Sequence, residues 1–167
     1  MSWGASGPPP FKEEISNELG EVLVTAELNC VNGNSGAAPY LIFSNQPAIA
    51  GRNYRVLEVG FTVYSSGTAQ GQDIISVGTS VDPDKFVASG GVAGVGSTVP
   101  ANPAVGSTYS TSSGGGDTWT FNVTDSDGVP TVEAGELLVY DVTDTANTSA
   151  GILFMRLAPI AGKDVFA

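Results

Sequence analysis

Short runs of alternating apolar and polar residues recur along this chain, and glycine, proline or asparagine residues lie between the runs. Successive side chains of a β-strand point to opposite faces, so a period of two predicts half-buried strands. The clearest run covers residues 54–65, and the residues expected on one of its faces are Leu57, Val59, Phe61 and Val63. A chain with this pattern and so many turn residues is restricted to an all-β architecture.

Shorter runs of the same kind predict the remaining strands. They lie at residues 22–28, 40–43, 74–77, 119–123, 137–142 and 152–157, and weaker runs bring the total to about eight. We expect Gly78 and Pro159 to end two of these strands, and Phe86 with Val87 to form a single helical turn. The prediction is a jelly-roll-like antiparallel β-sandwich. The side chains assigned to its core, or to contacts between subunits, include Leu57, Phe61, Trp119, Phe121 and Leu138.

The first residues differ from the rest, and we expect an extended N-terminal arm at 1–20 followed by a single domain at 21–167. Three consecutive prolines favour the extended polyproline conformation. Large aromatic residues flank these prolines, and such residues are uncommon in disordered tails but frequent in binding hot spots. We therefore predict that the arm docks on a partner, with a flexible tail or packing on its own domain as alternatives. The residues assigned to this contact are Trp3, Pro8, Pro9, Pro10 and Phe11.

A second contact surface is predicted between Gly78 and Gly116, the largest irregular region of the sequence. Asp82 and Pro83 begin a turn there, and segment 90–96 is too rich in glycine for a stable element. Loops longer than about 15 residues are usually functional or disordered. Two further turns are expected, at residues 125–128 and 133–136.

The composition excludes several classes of function. The chain has no histidine and one cysteine, so it lacks the commonest general base and metal ligand. Its 17 acidic residues outnumber six basic ones and give a formal net charge of -11 at pH 7. This charge argues against binding to nucleic acid or to an anionic membrane surface. We expect no catalytic residue, no cofactor and no enzymatic activity.

Individual acidic and thiol groups add little to this picture. Asp125 with Asp127, and Asp82 with Asp84, lie in turns whose carboxylates would suit a cation, yet a tight turn explains these residues fully, and no metal site is assigned. Cys30 has no partner for a disulfide within the chain and is expected to be a buried, inert thiol. The first residues lack the pattern of a secretory signal, so synthesis in a cytosol is expected.

Three stretches, with the short N-terminal segment, carry a resemblance to a known group of proteins. They are VLV at 22–24, DIISVGTSVDPDKFVAS at 73–89 and VEAGELLV at 132–139. In style and order the chain resembles the small structural proteins of tailed bacteriophages, particularly capsid decoration (cement) proteins. The resemblance implies a jelly-roll or related β-domain on the capsid surface of a virion made in host cytoplasm. It also implies a homotrimer that clamps neighbouring major capsid protein subunits.

Two other classes of function remain open from the sequence. A receptor- or carbohydrate-binding module of a virion or cell surface would use the same β-rich body, with Trp119 or Tyr64 stacking on sugars. A sugar-acting enzyme would need two carboxylates at catalytic distance, and the spacing of the acidic residues selects no such pair. The decoration protein is the preferred interpretation.

Overall fold

A computed structural model describes residues 20–29, 41–42, 52–66, 73–87, 98–100, 102–112, 119–122, 130–143 and 149–160. Nine strands lie in these residues. They are β1 (Val22–Asn29), β2 (Leu41–Ile42), β3 (Tyr54–Ser65), β4 (Asp73–Thr79), β5 (Thr98–Val99), β6 (Thr108–Ser110), β7 (Thr131–Val132), β8 (Leu138–Thr143) and β9 (Ala150–Pro159).

The strands form two antiparallel sheets. The first has the order β1-β9-β3-β6, with β7 also paired to β3, and the second has the order β2-β8-β4-β5. One hydrophobic cluster takes buried side chains from both sheets, including Phe61 and Leu153 from the first and Ile75 and Val142 from the second. The described residues contain no helix. The predicted all-β class with antiparallel sheets is confirmed, with nine described strands where about eight were expected.

The pairing between strands is nested along the chain. β1 pairs with β9, β2 with β8, β3 with β6, and β4 with β5. Each outer pair therefore encloses the next one in the sequence. Two further ladders, β3 with β9 and β4 with β8, join these pairs into the two sheets.

The predicted alternation holds along β1 but fails in the middle of β3. On β1, Val24 and Leu28 are buried while Leu23 and Glu27 are exposed. On β3, the pairing with β9 shifts register between Val56 and Glu58, which marks a β-bulge. An extra residue in the strand reverses the faces beyond it, so Val56 and Val59 are both buried.

Leu57, assigned to the core or to contacts between subunits, is therefore not a core residue, and its place in a subunit contact stays a prediction. Leu57 is only half-buried and is not a member of the core cluster. Because the bulge interrupts the alternation at this residue, Leu57 does not share the buried face of Val59, Phe61 and Val63. The other residues assigned to the core lie in it or pack against it. Phe61, Trp119 and Leu138 are buried in the cluster, and Phe121 packs against it.

Strand β4 was expected to end at Gly78 but continues to Thr79. Glycine is required at position 78 because a Cβ atom there would overlap the carbonyl oxygen of Asp82 and the backbone of Pro83. The expected helical turn at Phe86 and Val87 is also absent. Val87 instead forms an isolated antiparallel bridge with Val77, which returns the chain onto β4.

Other boundaries differ from expectation as well. The region between Gly78 and Gly116 contains β5 and β6, and is therefore less irregular than its composition indicates. Residues 119–122 belong to no strand, although Trp119 is buried and its backbone N–H donates to the carbonyl of Ser110 at 3.1 Å. Pro159 is the last residue of β9, as expected of a residue that ends the strand.

Candidate binding surfaces

The arm residues Trp3, Pro8, Pro9, Pro10 and Phe11 lie outside the described residues, as do Cys30, Asp125 and Asp127. The predicted docking of the arm and its boundary at residue 20 remain predictions. Part of the second predicted contact surface is described, however. It is the Val81 loop, residues 80–87, which follows β4.

The Val81 loop is held in place by backbone hydrogen bonds at both of its ends. The N–H of Thr79 donates to the carbonyl of Asp82 at 2.8 Å, and the N–H of Lys85 donates to the same carbonyl at 3.2 Å. This closes the turn predicted at Asp82-Pro83-Asp84, in which proline has the backbone angle that the position needs. The N–H of Val87 donates to the carbonyl of Val77 at 3.0 Å.

Buried side chains also attach the Val81 loop to the core. Phe86 and Val87 are fully buried in the core cluster. The N–H of Asn122 donates to the carbonyl of Phe86 at 2.8 Å, so the segment at 119–122 braces the loop. The loop is therefore an ordered element whose apex is fixed relative to the sheets.

A second turn is hydrogen-bonded to the Val81 loop. Ser80 donates its N–H to the carbonyl of Leu137 at 2.8 Å, which joins the loop to the residues that precede β8. Those residues form the predicted turn at 133–136, where Gly135 has a φ of 88° and the N–H of Glu136 donates to the carbonyl of Glu133 at 3.0 Å. Only glycine adopts such a φ without strain.

Val81 projects from this framework into solvent and is 80% exposed. Leu137 lies on the adjoining segment and is also exposed. Exposing large apolar side chains gives no stability to the free molecule, whereas a rigid frame lowers the entropy that is lost when such a side chain is buried against a partner. The pair Val81 and Leu137 is thus suited to protein contact.

The surroundings of the pair are acidic. Asp82 and Asp84 lie in the loop, and Glu136 lies beneath it with its Oε2 atom 3.7 Å from the Nζ of Lys85. Loss of hydration raises the pKa of Asp82, and the hydrogen bond and negative charge of Asp84 raise it further, against the opposing charge of Lys85. The rim of the loop therefore favours a partner that brings positive charge.

A second surface is the outer face of the first sheet, where Arg156 on β9 joins Glu21, the residue before β1, to Glu58 on β3. Its guanidinium donates to Glu21 Oε2 at 2.7 Å and to Glu58 Oε2 at 3.1 Å. Glu58 also accepts hydrogen bonds from the hydroxyls of Ser110, at 2.7 Å, and Ser112. The network joins β1, β9 and β3 to the residues at and after β6.

Opposing effects set the ionisation of Glu58. Burial, the largest single effect, favours the neutral acid. The hydrogen bonds from Ser112, Ser110 and Arg156, with the positive charge of Arg156, together outweigh it and hold the pKa of Glu58 below its ordinary value. Glu58 is therefore an ionised structural group and does not resemble a general acid, whose pKa would be raised.

The described residues contain no group of three or more His, Cys, Asp or Glu side chains arranged to hold a metal ion. Nor do they include a helix of the length and apolarity needed to cross a membrane. Sequence reasoning identified the region of the Val81 loop but not Val81 itself, and it missed the Arg156 network. The alternation of Ile152, Phe154 and Arg156 with core residues of β9 was the available signal for that network.

In comparisons with known proteins, no family model, no curated protein and no solved structure matched this chain.

Proposed function

We propose that this chain is a structural virion protein that binds the outside of an icosahedral phage capsid, without catalysis, and bridges major capsid protein subunits as a trimer. The observation that carries the proposal is the Val81 loop, which presents an exposed apolar side chain on a rigid frame. The loop also lies inside residues 73–89, one of the stretches on which the resemblance to decoration proteins depends.

The size of the contact explains why several copies are needed. Burying one valine side chain contributes about 1.5–3 kcal/mol, which is too little for lasting attachment. Three linked copies multiply a weak contact through effective concentration, provided that all three reach the shell together. A trimeric bridge between capsid subunits therefore fits a small apolar anchor, and the arm residues Trp3 and Phe11 would add to each contact.

We further propose that the two sheets form a jelly roll. The nested pairing of strands supports it, because a jelly roll is a long antiparallel hairpin wound into two four-stranded sheets. The extra strand β7 would then be an addition at the edge of the first sheet.

Binding to empty, expanded shells of the virus that encodes this chain tests the proposal. The purified protein should sediment with the shells and raise their melting temperature. Val81→Asp should weaken binding at least tenfold, because a charged side chain cannot enter an apolar site. Val105→Asp is the matched control, since Val105 is also exposed but lies on a different turn. Wild-type protein that does not bind the shells would refute the proposal.

The arm is tested separately. Deleting residues 1–11 should weaken shell binding while the circular dichroism of the β-body stays unchanged. Full binding by the truncated protein would remove the arm from the contact and leave the Val81 loop as the anchor.

A carbohydrate-binding module is the second candidate, and Tyr64 and Phe154 on the outer face of the first sheet favour it. It predicts binding on a glycan array that is lost in Tyr64→Ala. An array without signal would exclude it.

A further inference from the structure

The outer face of the first sheet carries side chains in cross-strand rows, which the pairing registers define. One row contains Leu23, Arg156 and Glu58, the next Thr25, Phe154, Gly60 and Ser110, and the third Glu27, Ile152, Thr62 and Thr108. The residues between them on each strand, such as Val24, Leu153 and Val59, are buried in the core. The rows therefore face away from the second sheet.

Large apolar side chains are exposed on this face among the polar ones. Seven large hydrophobic residues are exposed among the described ones, and three of them, Leu23, Tyr64 and Ile152, lie here. Leu23 is 54% exposed and Ile152 37%. Phe154 lies in the row between them, half-buried, with its ring end over Gly60 where a side chain would otherwise stand. Contiguous apolar surface of this kind marks interaction sites.

The polar groups between these apolar residues are bonded to one another. Arg156 binds Glu21 and Glu58, as described above. The Tyr64 hydroxyl donates to Glu27 Oε1 at 2.7 Å. The hydroxyls of Thr62 and Thr108 share a hydrogen bond of 2.9 Å.

This internal bonding favours a protein surface over a sugar as the occupant. Groups that already have partners can be covered without leaving a buried donor or acceptor unsatisfied. A sugar, in contrast, is recognised by groups that are free to form hydrogen bonds with its hydroxyls.

The charge of the face indicates which protein would bind to it. Among the described residues its charged side chains are Glu21, Glu27, Glu58, Arg55 and Arg156, whose formal charges sum to -1, whereas the whole chain carries -11. Another copy of the chain is repelled least where the local charge is nearly balanced. A cationic partner would be attracted instead to the acidic rim of the Val81 loop. The face is thus most compatible with a second copy of the same molecule.

We propose that this outer face is the contact between copies of the chain, with Leu23 and Ile152 as its exposed apolar contacts. The inference rests on the oligomeric part of the proposed function and names the surface that forms the oligomer. It leaves the Val81 loop free for the shell. The buried core of an interface between identical subunits is apolar, and Leu23, Phe154 and Ile152 are the side chains of this face that suit it.

Light scattering coupled to size-exclusion chromatography tests the proposal on the full chain. The wild type should have a mass of about 51 kDa, three times the 17.0 kDa of one chain. The double variant Leu23→Lys, Ile152→Lys should elute at the mass of one chain, because it places charged lysine side chains in an apolar contact. Thr108→Arg, an exposed position at the margin of the face, should shift the mass in the same direction and serves if the double variant misfolds.

Val81→Lys and Val105→Lys are the controls, since they add the same charge at exposed apolar positions away from the face and should keep the wild-type mass. A monomeric wild type would overturn the inference, as would folded face variants that keep the wild-type mass. Shell binding is measured apart from mass. A trimer that binds no shell would refute the proposed function and leave this interface standing.

Discussion

At the scale of single residues, two glycines in the strands are required for different reasons. A Cβ atom at position 60 would lie 2.5 Å from Cζ of Phe154 and 2.6 Å from Cβ of Ser110, so the obstacle is formed by side chains. At position 78 the obstacle is backbone of Asp82 and Pro83, which cannot rotate away. An added methyl group should therefore be tolerated better at position 60 than at position 78.

We expect Gly60→Ala to lower the free energy of unfolding by about 1–3 kcal/mol, the usual range for an overpacked site, and Gly78→Ala to lower it by more. Urea unfolding of the two variants measures the difference. In a Phe154→Ala background the loss at Gly60 should shrink, because the ring that blocks the site is gone, whereas the loss at Gly78 should not. Equal losses in both backgrounds would contradict the account of Gly60.

Glu58 makes stability depend on acid pH. Its pKa in the folded chain lies below the ordinary value of 4.5, so the folded state binds protons less readily than the unfolded state does. The stability that its ionisation contributes is fully present above pH 4.5. It is lost as the pH falls through the lower pKa of the folded protein.

Glu58→Gln should therefore be less stable than the wild type at pH 7, and the difference in melting temperature should narrow below pH 4.5. Thermal unfolding from pH 3 to pH 7 provides the measurement. Glu133→Gln, at an exposed position in a turn, is the control and should follow the wild type throughout. A difference that stays constant over this pH range would show that Glu58 acts through shape and not through its charge.

At the scale of elements, the bulge in β3 separates two leucines of the same sheet. Leu153 on β9 is fully buried in the core, while Leu57 at the bulge is half-buried outside it. Leu153→Ala should lower the free energy of unfolding by about 2–5 kcal/mol, and Leu57→Ala by less than half as much. Chemical denaturation compares the two directly, since the same atoms are removed in each. Equal losses would mean that Leu57 packs as a core residue and that the bulge is misplaced.

The strands were predictable from sequence wherever local alternation alone decides which side is buried. β1 and the positions of β3 beyond the bulge follow this rule. The bulge itself was not predictable, because it depends on how β3 meets β9, and Glu58 and Arg156 are 98 residues apart in the chain. The continuation of β4 through Gly78 was likewise hidden, since glycine weakens a strand and is frequent in turns.

The candidate surfaces were predictable only in part. The region that contains the Val81 loop was expected to make contacts because of its length and its turn residues. Val81 itself was not singled out, since a valine after a strand gives no sign of whether a fold will bury or expose it. The Arg156 network required knowledge that β1, β9 and β3 are neighbours, which alternation within each strand does not supply.

At the scale of the whole molecule, the nested pairing makes the fold depend on contacts between distant parts of the chain. β1 and β9, the first and last described strands, are neighbours in one sheet. Folds dominated by such long-range pairings close long loops before their contacts form, and they fold slowly, typically in milliseconds to seconds. A molecule that spends time partly folded benefits from its high net charge, which opposes aggregation.

The same net charge destabilises the folded state. Compaction brings 17 acidic groups together with only six basic ones, so the acidic groups repel one another. Salt screens this repulsion, and the Debye length shortens to about 10 Å at 0.1 M ionic strength. The melting temperature at pH 7 should therefore rise when sodium chloride is increased from about 20 mM to about 200 mM, two conditions on either side of that ionic strength. The exposed ion pair of Arg156 with Glu21 is weakened by the same salt, but such a pair contributes less than about 1 kcal/mol.

The matched control is the same protein near pH 4.1, its calculated isoelectric point, where the net charge vanishes and salt should change the melting temperature little. A melting temperature that falls with salt at pH 7 would mean that attractive ion pairs outweigh the net repulsion. An equal rise at both pH values would assign the effect to salting-out of apolar surface, which does not depend on charge. Only a rise confined to pH 7 supports the view that the acidic surface trades stability of the single chain for solubility.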